Sequence, residues 1–422
     1  MIGKCVFKND GSRRVAVIGE GAAGMMSAVF AAKNGADVVI FEKNDRPGRK
    51  LRITGKGRCN VTNDSSTDEL MANIPTNSRF LYAAFNRFST ADTMSFFENC
   101  GVPLKVERGK RVFPVSDKAS DIVKALVHAD HESGVTVCRE RVLSLIVDRG
   151  RVVGVRTICG EYMCDAVIVC TGGMSYPMTG SDGDGYKLAK SVGHTIVPPR
   201  PSLVPMVCGG VICPSMQGLS LKNIKFKIYN SEKTKPIYED FGELVFTHFG
   251  LSGPVVLSAS SYMPEPVDGR FQASIDFKPA LDSETLDKRI LSDFHKYINR
   301  DFINSLSDLL PQKAILPIIK ASGIDVHKKV NSITKEERTS LVRIIKDLRI
   351  PICGFRPIDE AIITKGGVAV NEINPGSMES KLVGGLYFAG EVIDVDAYTG
   401  GFNLQIAFST AVLAGENAAW GT

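Results

Sequence analysis

Between Arg14 and Glu42 the chain reads RVAVIGEGAAGMMSAVFAAKNGADVVIFE, and few folds accommodate that order of residues. RVAVIG, 14–19, is a short apolar run that predicts a buried strand. AAGMMSAVFAAKN, 22–34, predicts a helix, and Gly35 suits the position just past its end. ADVVIFE, 36–42, predicts a second buried strand. Strand, helix and strand in about thirty residues make a βαβ unit with parallel strands and a right-handed crossover. Gly19-Glu20-Gly21-Ala22-Ala23-Gly24 is a G-x-G-x-x-G at the first junction. There each glycine has a physical task. Gly19 permits the tight turn, Gly21 lets backbone approach a pyrophosphate, and Gly24 lets helix and strand pack closely. The helix N-terminus then faces the phosphates. Glu42, ending the second strand, suits the hydroxyls of an adenosine ribose and would repel a 2′-phosphate.

Two later stretches extend this pattern. DAVIVCTGG, 165–173, and GGLYFAGEVID, 384–394, are apolar strands ending in glycine motifs, and the second precedes a helix over 403–419. They predict one doubly wound α/β sheet built from both ends of the chain. The middle differs. In SLKNIKFKIYN, 220–230, Ile224, Phe226 and Ile228 alternate with lysines, the mark of a half-buried antiparallel strand; FQASIDF, 271–277, suggests another. From 280 to 349 the pattern turns helical, with Thr334 and Glu337 at capping-box spacing. The expected organisation is a discontinuous Rossmann-like domain (1–200 and 351–422), an inserted β-rich cap domain (201–279) and a helical subdomain (280–350). No run is apolar enough for a signal peptide or a membrane span, so a cytoplasmic protein without a membrane partner is expected. The ten cysteines never form C-x-x-C, and the nearest pairs, Cys159/Cys164 and Cys208/Cys213, lack a matching second pair. They read as free thiols, with no metal site. A net charge of +5 does not by itself predict nucleic-acid binding.

GRKLRITGKGRCNVTN, 48–63, carries five basic side chains, three glycines and no acid. It is not a Walker A loop, because six residues separate Gly48 and Gly55 and Lys56 is followed by Gly57. It has no aromatic residue to interleave with the charges, as a nucleic-acid patch would. In a flavin site both features have a use. A basic group 4 Å from the pyrophosphate is worth on the order of 4 kcal/mol in a surface-like dielectric, against roughly 0.3–1 kcal/mol from a helix terminus. The glycines let main chain run under a flat ring. One fingerprint, a second glycine loop and later glycine sites favour FAD over NAD as the resident dinucleotide. Cys59 lacks a nearby partner thiol and reads as a packing residue or pocket wall. Thr171-Gly172-Gly173 ends a strand where ligand crevices lie. Gly390-Glu391 ends another, with Asp394 near, suited to a chain of hydroxyls. Gly400 and Gly401 precede a helix starting near Asn403, whose N–H groups suit the charge a reduced flavin gains at N1 and its C2 carbonyl. His128 and His131 read as solvated. His248 reads either as a proton donor at a substrate pocket or, more commonly, as a satisfied buried histidine.

Together VAVIGEGAAG, EKNDRPGRKLRITGKGRCNVTN, GKRVFPVSDKASDIVKAL, CTGGMSYPMTGSDGDGYKLA, ELVFTHFGLSGP and the long block from Ala361 to Ser409 resemble the bacterial YhiN/BaiN-like FAD-binding oxidoreductases, the aminoacetone oxidase family. The resemblance covers nearly the whole chain. It implies a two-dinucleotide-binding fold and carries FAD contacts onto Gly19, Gly21, Gly24, Glu42, Lys43, the 49–60 loop, 171–173, 390–394 and 400–403. Within these, the expected contacts are Arg49, Lys50, Thr54, Gly55, Gly57, Arg58, Cys59, Asn60, Thr171, Gly172, Gly173, Gly390, Glu391, Asp394, Gly400, Gly401, Phe402 and Asn403. Ala22, Ala23 and Val142 complete the set. Glu20 departs from the family's usual Gly or Ala and puts an acid at the phosphate loop; Thr54 and Ala397 replace a more usual Ser and Gly. The implied activity is hydride transfer through flavin N5, from NAD(P)H as a transient donor or another reduced donor, to a small organic substrate or oxygen. No nucleic-acid partner is expected, and no catalytic residue is assigned. The rival readings are a flavin-dependent tRNA-modifying enzyme and a non-catalytic redox sensor.

Overall fold

Val15–Ile18, Val38–Phe41 and Ala166–Val169 are almost wholly buried, as strands covered on both faces must be. In the computed structural model, which describes residues 7–8, 10–266 and 269–421, they form the centre of a parallel sheet. The first six residues, part of the stretch read as lacking a signal peptide, lie outside the described residues. The sheet comprises β1 (Arg14–Ile18), β2 (Asp37–Phe41), β3 (Thr136–Cys138), β4 (Ala166–Val169) and β5 (Leu386–Phe388), in the order β5-β4-β1-β2-β3. All neighbours are parallel. Ile18 pairs with Phe41 on one side and Val169 on the other, so the carboxyl ends of the central strands line up. Helix α1 (Ala22–Lys33) makes the β1–β2 crossover, and α2 (Phe402–Trp420) packs against it. A Cβ on Gly415 would lie 2.4 Å from the Ser27 carbonyl oxygen, so glycine allows this helix contact.

The chain divides into two compact units, one of 1–202 with 358–422 and one of 203–357. Within the first, Ile196–Ser202 and Ile363–Val368 form an antiparallel pair on either side of the insertion. The second is a closed six-stranded barrel in the order Met206–Cys208, Gly250–Ser252, Tyr238–Phe246, Ser220–Asn230, Phe271–Asp276, Leu348–Phe355. The alternation read in 220–230 is the barrel's inside–outside alternation, with Ile224, Phe226 and Ile228 buried. Among the described residues the helical stretch has no core separate from the barrel's. Leu286, Ile290, Ile318, Leu341 and Ile345 join Phe226, Phe246 and Ile275 in one cluster, because the amphipathic helices bury their apolar stripes with the barrel side chains. The Thr334/Glu337 capping box is formed. Among the described residues no helix is long and apolar enough to cross a membrane.

Candidate functional site

The phosphate loop behaves as its glycines require. Gly19 has φ +105°, and a Cβ there would lie 2.7 Å from the Cys170 carbonyl oxygen. A Cβ on Gly24 would lie 1.7 Å from the Gly19 carbonyl oxygen. Gly21 differs: nothing lies within 4 Å of where its Cβ would be. It caps α1 with no side-chain hydrogen bond, so the first N–H groups of the helix have no side-chain cap at this position. Ala22 and Ala23 form the first turn.

Glu42 is buried at the end of β2 and already accepts three hydrogen bonds. They come from the Glu20 N–H at 2.7 Å, the Asn44 N–H at 2.7 Å and Asn44 Nδ2 at 2.6 Å. Arg49 Nη1 holds Asn44 Oδ1 at 2.9 Å, so Arg49 acts on Glu42 through Asn44. The acid at position 20 is compensated. Its carboxylate is buried and ion-paired to Arg139, which follows β3. Burial still pushes Glu20 above the usual carboxylate range, and Arg139 opposes that shift. Asp130, behind the loop, is buried with neither oxygen hydrogen-bonded; burial, reinforced by the Glu20 charge, raises it to about 9.

The basic loop divides its charges. Lys50 is drawn into a dense polar network, 2.6 Å from Ser175 Oγ and 2.6 Å from Glu391 Oε2. Lys43 pairs with Asp182 at 2.6 Å and Asp184 at 2.9 Å. Arg58, expected as a cofactor contact, instead bonds Glu107 and Asp117 and stacks 4.1 Å from the Phe113 ring centre. Those acids lie on the neighbouring 104–117 hairpin segment, and two carboxylates with an aromatic face outcompete water for the guanidinium. Gly55, Lys56 and Gly57 are exposed, with Thr54 opening their turn and φ +57° at Gly55. Cys59 is fully buried, and burial pushes its thiol up to about 12. Asn60 carries a buried Oδ1 without a hydrogen-bond partner.

The strand ends complete the arrangement. Thr171 Oγ1, just past β4, is buried without a partner. A Cβ on Gly172 would lie 2.9 Å from Ser181 Oγ, and one on Gly173 2.4 Å from Thr364 Oγ1. Gly390 has φ +76° and lets the turn after β5 pack on Ala23 of α1. Asp394 accepts from Asn77 Nδ2 at 3.0 Å and is raised by burial. Gly401 caps α2 without a side-chain bond, and its Cβ would lie 2.3 Å from the Thr62 carbonyl oxygen. Phe402 begins the helix; Gly400 lies against its ring. Asn403 is turned to the preceding loop, bonding Ala397 N–H at 3.0 Å and Ala397 O at 2.8 Å. Val142 is buried at the start of the strand Val142–Asp148. His248 is exposed in the second unit, while His194, not singled out in the sequence, is buried between Glu372 and Ser380. Sequence reasoning also missed Asn44, Arg139, Ser175 and Thr364. An acid in a phosphate loop needs a cation, which was the one signal for Arg139; the others act through contacts that no spacing announces.

Two uncapped helix N-termini, an open Gly21 flank and buried orphan oxygens on Asn60 and Thr171 fit a dinucleotide with a polar linker and a polar ring edge. The family model described as the HI0933-like protein Rossmann domain matches residues 13–417. The chain belongs to the HI0933-like Rossmann FAD-binding family. It is an enzyme of the FAD-dependent oxidoreductase class. The chain is similar to a ribosomal RNA dihydrouridine synthase of Escherichia coli, 32% identical over 405 residues, covering 94% of this chain and 95% of that protein. It is also similar to a 3-dehydro-bile acid delta(4,6)-reductase of Clostridium scindens, 29% identical over 413 residues, covering 96% and 99%. Among solved structures, a 3-ketosteroid-delta4-(5alpha)-dehydrogenase of Rhodococcus jostii superposes with TM-score 0.53 at 16% identity, covering 96% and 97%. That likeness concerns the fold.

Proposed function

We propose that the chain is an FAD-dependent reductase of a ring carbon–carbon double bond conjugated to a carbonyl. Bound FAD supplies hydride transfer at its N5. The HI0933-like chain contributes the rest. Gly21 and the α1 N-terminus take the pyrophosphate, and Glu42, held by Asn44, takes the adenosine ribose. Asn60, Thr171 and Glu391 take the polar linker, and the α2 N-terminus accepts the charge the ring gains. The observation that carries the reading is that two near-full-length relatives bear names of one reaction class. Uridine and a 3-oxo-delta(4,6) steroid both present a double bond conjugated to a carbonyl. Hydride added to the far carbon sends electrons to the carbonyl oxygen, and a proton then completes the saturated carbon.

The E. coli relative at 32% identity makes uridine in ribosomal RNA the first substrate to test, which departs from the expectation of no nucleic-acid partner. NAD(P)H serves as the transient donor, in the cytoplasm. The test is anaerobic. NADPH or NADH bleaches the bound flavin, and either unmodified ribosomal RNA or a cyclic enone restores its colour. Mass spectrometry then finds a 2 Da gain in the restoring substrate (two hydrogens added across the double bond). A flavin that is reduced yet reoxidised by oxygen alone refutes the reductase reading.

A further inference from the structure

Lys50 is among the expected cofactor contacts, and its ammonium also has partners within the protein. Besides its 2.6 Å contacts with Ser175 Oγ and Glu391 Oε2, Ser175 Oγ lies 3.0 Å from Glu391 Oε1. The Thr364 N–H donates to the same Oε1 at 2.9 Å. Thr364 Oγ1 in turn accepts the N–H groups of Met174 and Ser175 at 2.7 and 3.0 Å. Four distant segments therefore meet at one charge pair: the basic loop, the turn after β4, the 363–368 strand and the turn after β5. Both members are mostly buried, with side-chain exposures of 22% for Lys50 and 17% for Glu391. Ser175 is fully buried. Glu391 thus has a cation, a hydroxyl and a main-chain N–H holding it in one orientation, beside the Gly173 turn.

We propose that Lys50 is a positioning residue that fixes and neutralises Glu391, so that the Lys50–Glu391 pair sets the reduction potential of the bound flavin. This rests on the FAD-dependent reading above. A partly buried charge acts over several ångströms in reduced dielectric. With both partners present the field at the ring is nearly cancelled. Lys50→Met leaves an uncompensated carboxylate and disfavours addition of electrons to the flavin. Glu391→Gln leaves an uncompensated ammonium and favours it. The two single changes act in opposite directions, the double change cancels, and Lys50→Arg, which keeps the charge, stays near the wild type.

The experiment is a spectroelectrochemical titration of the holoprotein and these four variants, alongside FAD affinity measured by fluorescence. At a fixed applied potential the reduced-to-oxidised ratio falls roughly three- to tenfold in Lys50→Met and rises comparably in Glu391→Gln. It returns to within about twofold of wild type in the double variant. Single variants that shift the potential in the same direction, or that lose FAD affinity without any shift, overturn the proposal; the second result assigns Lys50 to the pyrophosphate instead. A single variant that does not fold moves the decision to Lys50→Arg and the double variant, where a large shift in either also overturns it. A wild-type protein that takes up no FAD overturns the FAD-dependent reading itself, a result distinct from all of these.

Discussion

Gly24→Ala and Gly21→Ala separate folding from cofactor binding within one motif. At position 24 the added methyl would lie 1.7 Å from the Gly19 carbonyl oxygen and 2.9 Å from its carbon, where ordinary contact begins at 3.4 Å. Both neighbours are backbone, so no side chain can swing aside; α1 and the turn after β1 must part by well over an ångström. Overpacking costs about 1–3 kcal/mol, and rigid main-chain neighbours put this case near 3 kcal/mol. At position 21 there is no neighbour within 4 Å and φ is −91°, which alanine adopts readily. Alanine is a poorer N-cap, so the apoprotein loses under about 1 kcal/mol. On the cofactor placement proposed above, the methyl would instead meet the pyrophosphate. FAD affinity therefore falls at least about tenfold, or 1.4 kcal/mol, in Gly21→Ala. Urea unfolding of the two apoproteins and FAD titration of Gly21→Ala check this. A Gly21→Ala protein as unstable as Gly24→Ala, or one binding FAD like the wild type, refutes the argument.

Thr171→Val removes a buried hydroxyl that has no partner in the fold; the apoprotein is expected to keep or gain stability, by about 1 kcal/mol, while FAD affinity falls. Equal FAD affinity would show that this oxygen meets no ligand. Asp130 is raised from 3.8 to about 9, so the native state binds a proton the unfolded state releases, and stability falls as pH rises from about 4 to 9. Asp130→Asn should add about 4 kcal/mol at pH 7 and little at pH 4, and an equal gain at both values contradicts the assignment. The thiols of Cys59, Cys164 and Cys170 are pushed up to about 12 by burial, so the stability they contribute below pH 9 is lost as pH climbs toward 12. In the native protein Cys59 should not react with a thiol reagent at pH 8 within the time that exposed Cys159 and Cys353 are consumed; rapid labelling of Cys59 sinks this.

The parts of this molecule legible in the sequence are those whose physics is local. A strand buried on both faces must read as an unbroken apolar run, and the segments now forming β1, β2, β4 and β5 did so although β5 lies over two hundred residues beyond β4. The glycines of the phosphate loop were legible because the backbone itself demands them. Barrel closure was not. It joins Met206 to Phe355, and no periodicity specifies a pairing across that much intervening chain. Nor did the helical pattern of 280–349 show that its apolar stripes share the barrel's core. The basic loop shows the same boundary at the level of single side chains. Its net charge was plain, yet the destination of each cation depends on which partners the fold sets beside it. Glu107 and Asp117 hold Arg58, Asn44 holds Arg49, and Glu391, 341 residues away, holds Lys50. Charge composition therefore marked the loop as basic and no more, while the partner that takes each cation is a property of tertiary structure. Lys50 shows this most sharply: its partners Ser175 and Glu391 stand 125 and 341 residues further along the chain, and only the fold brings them to one ammonium.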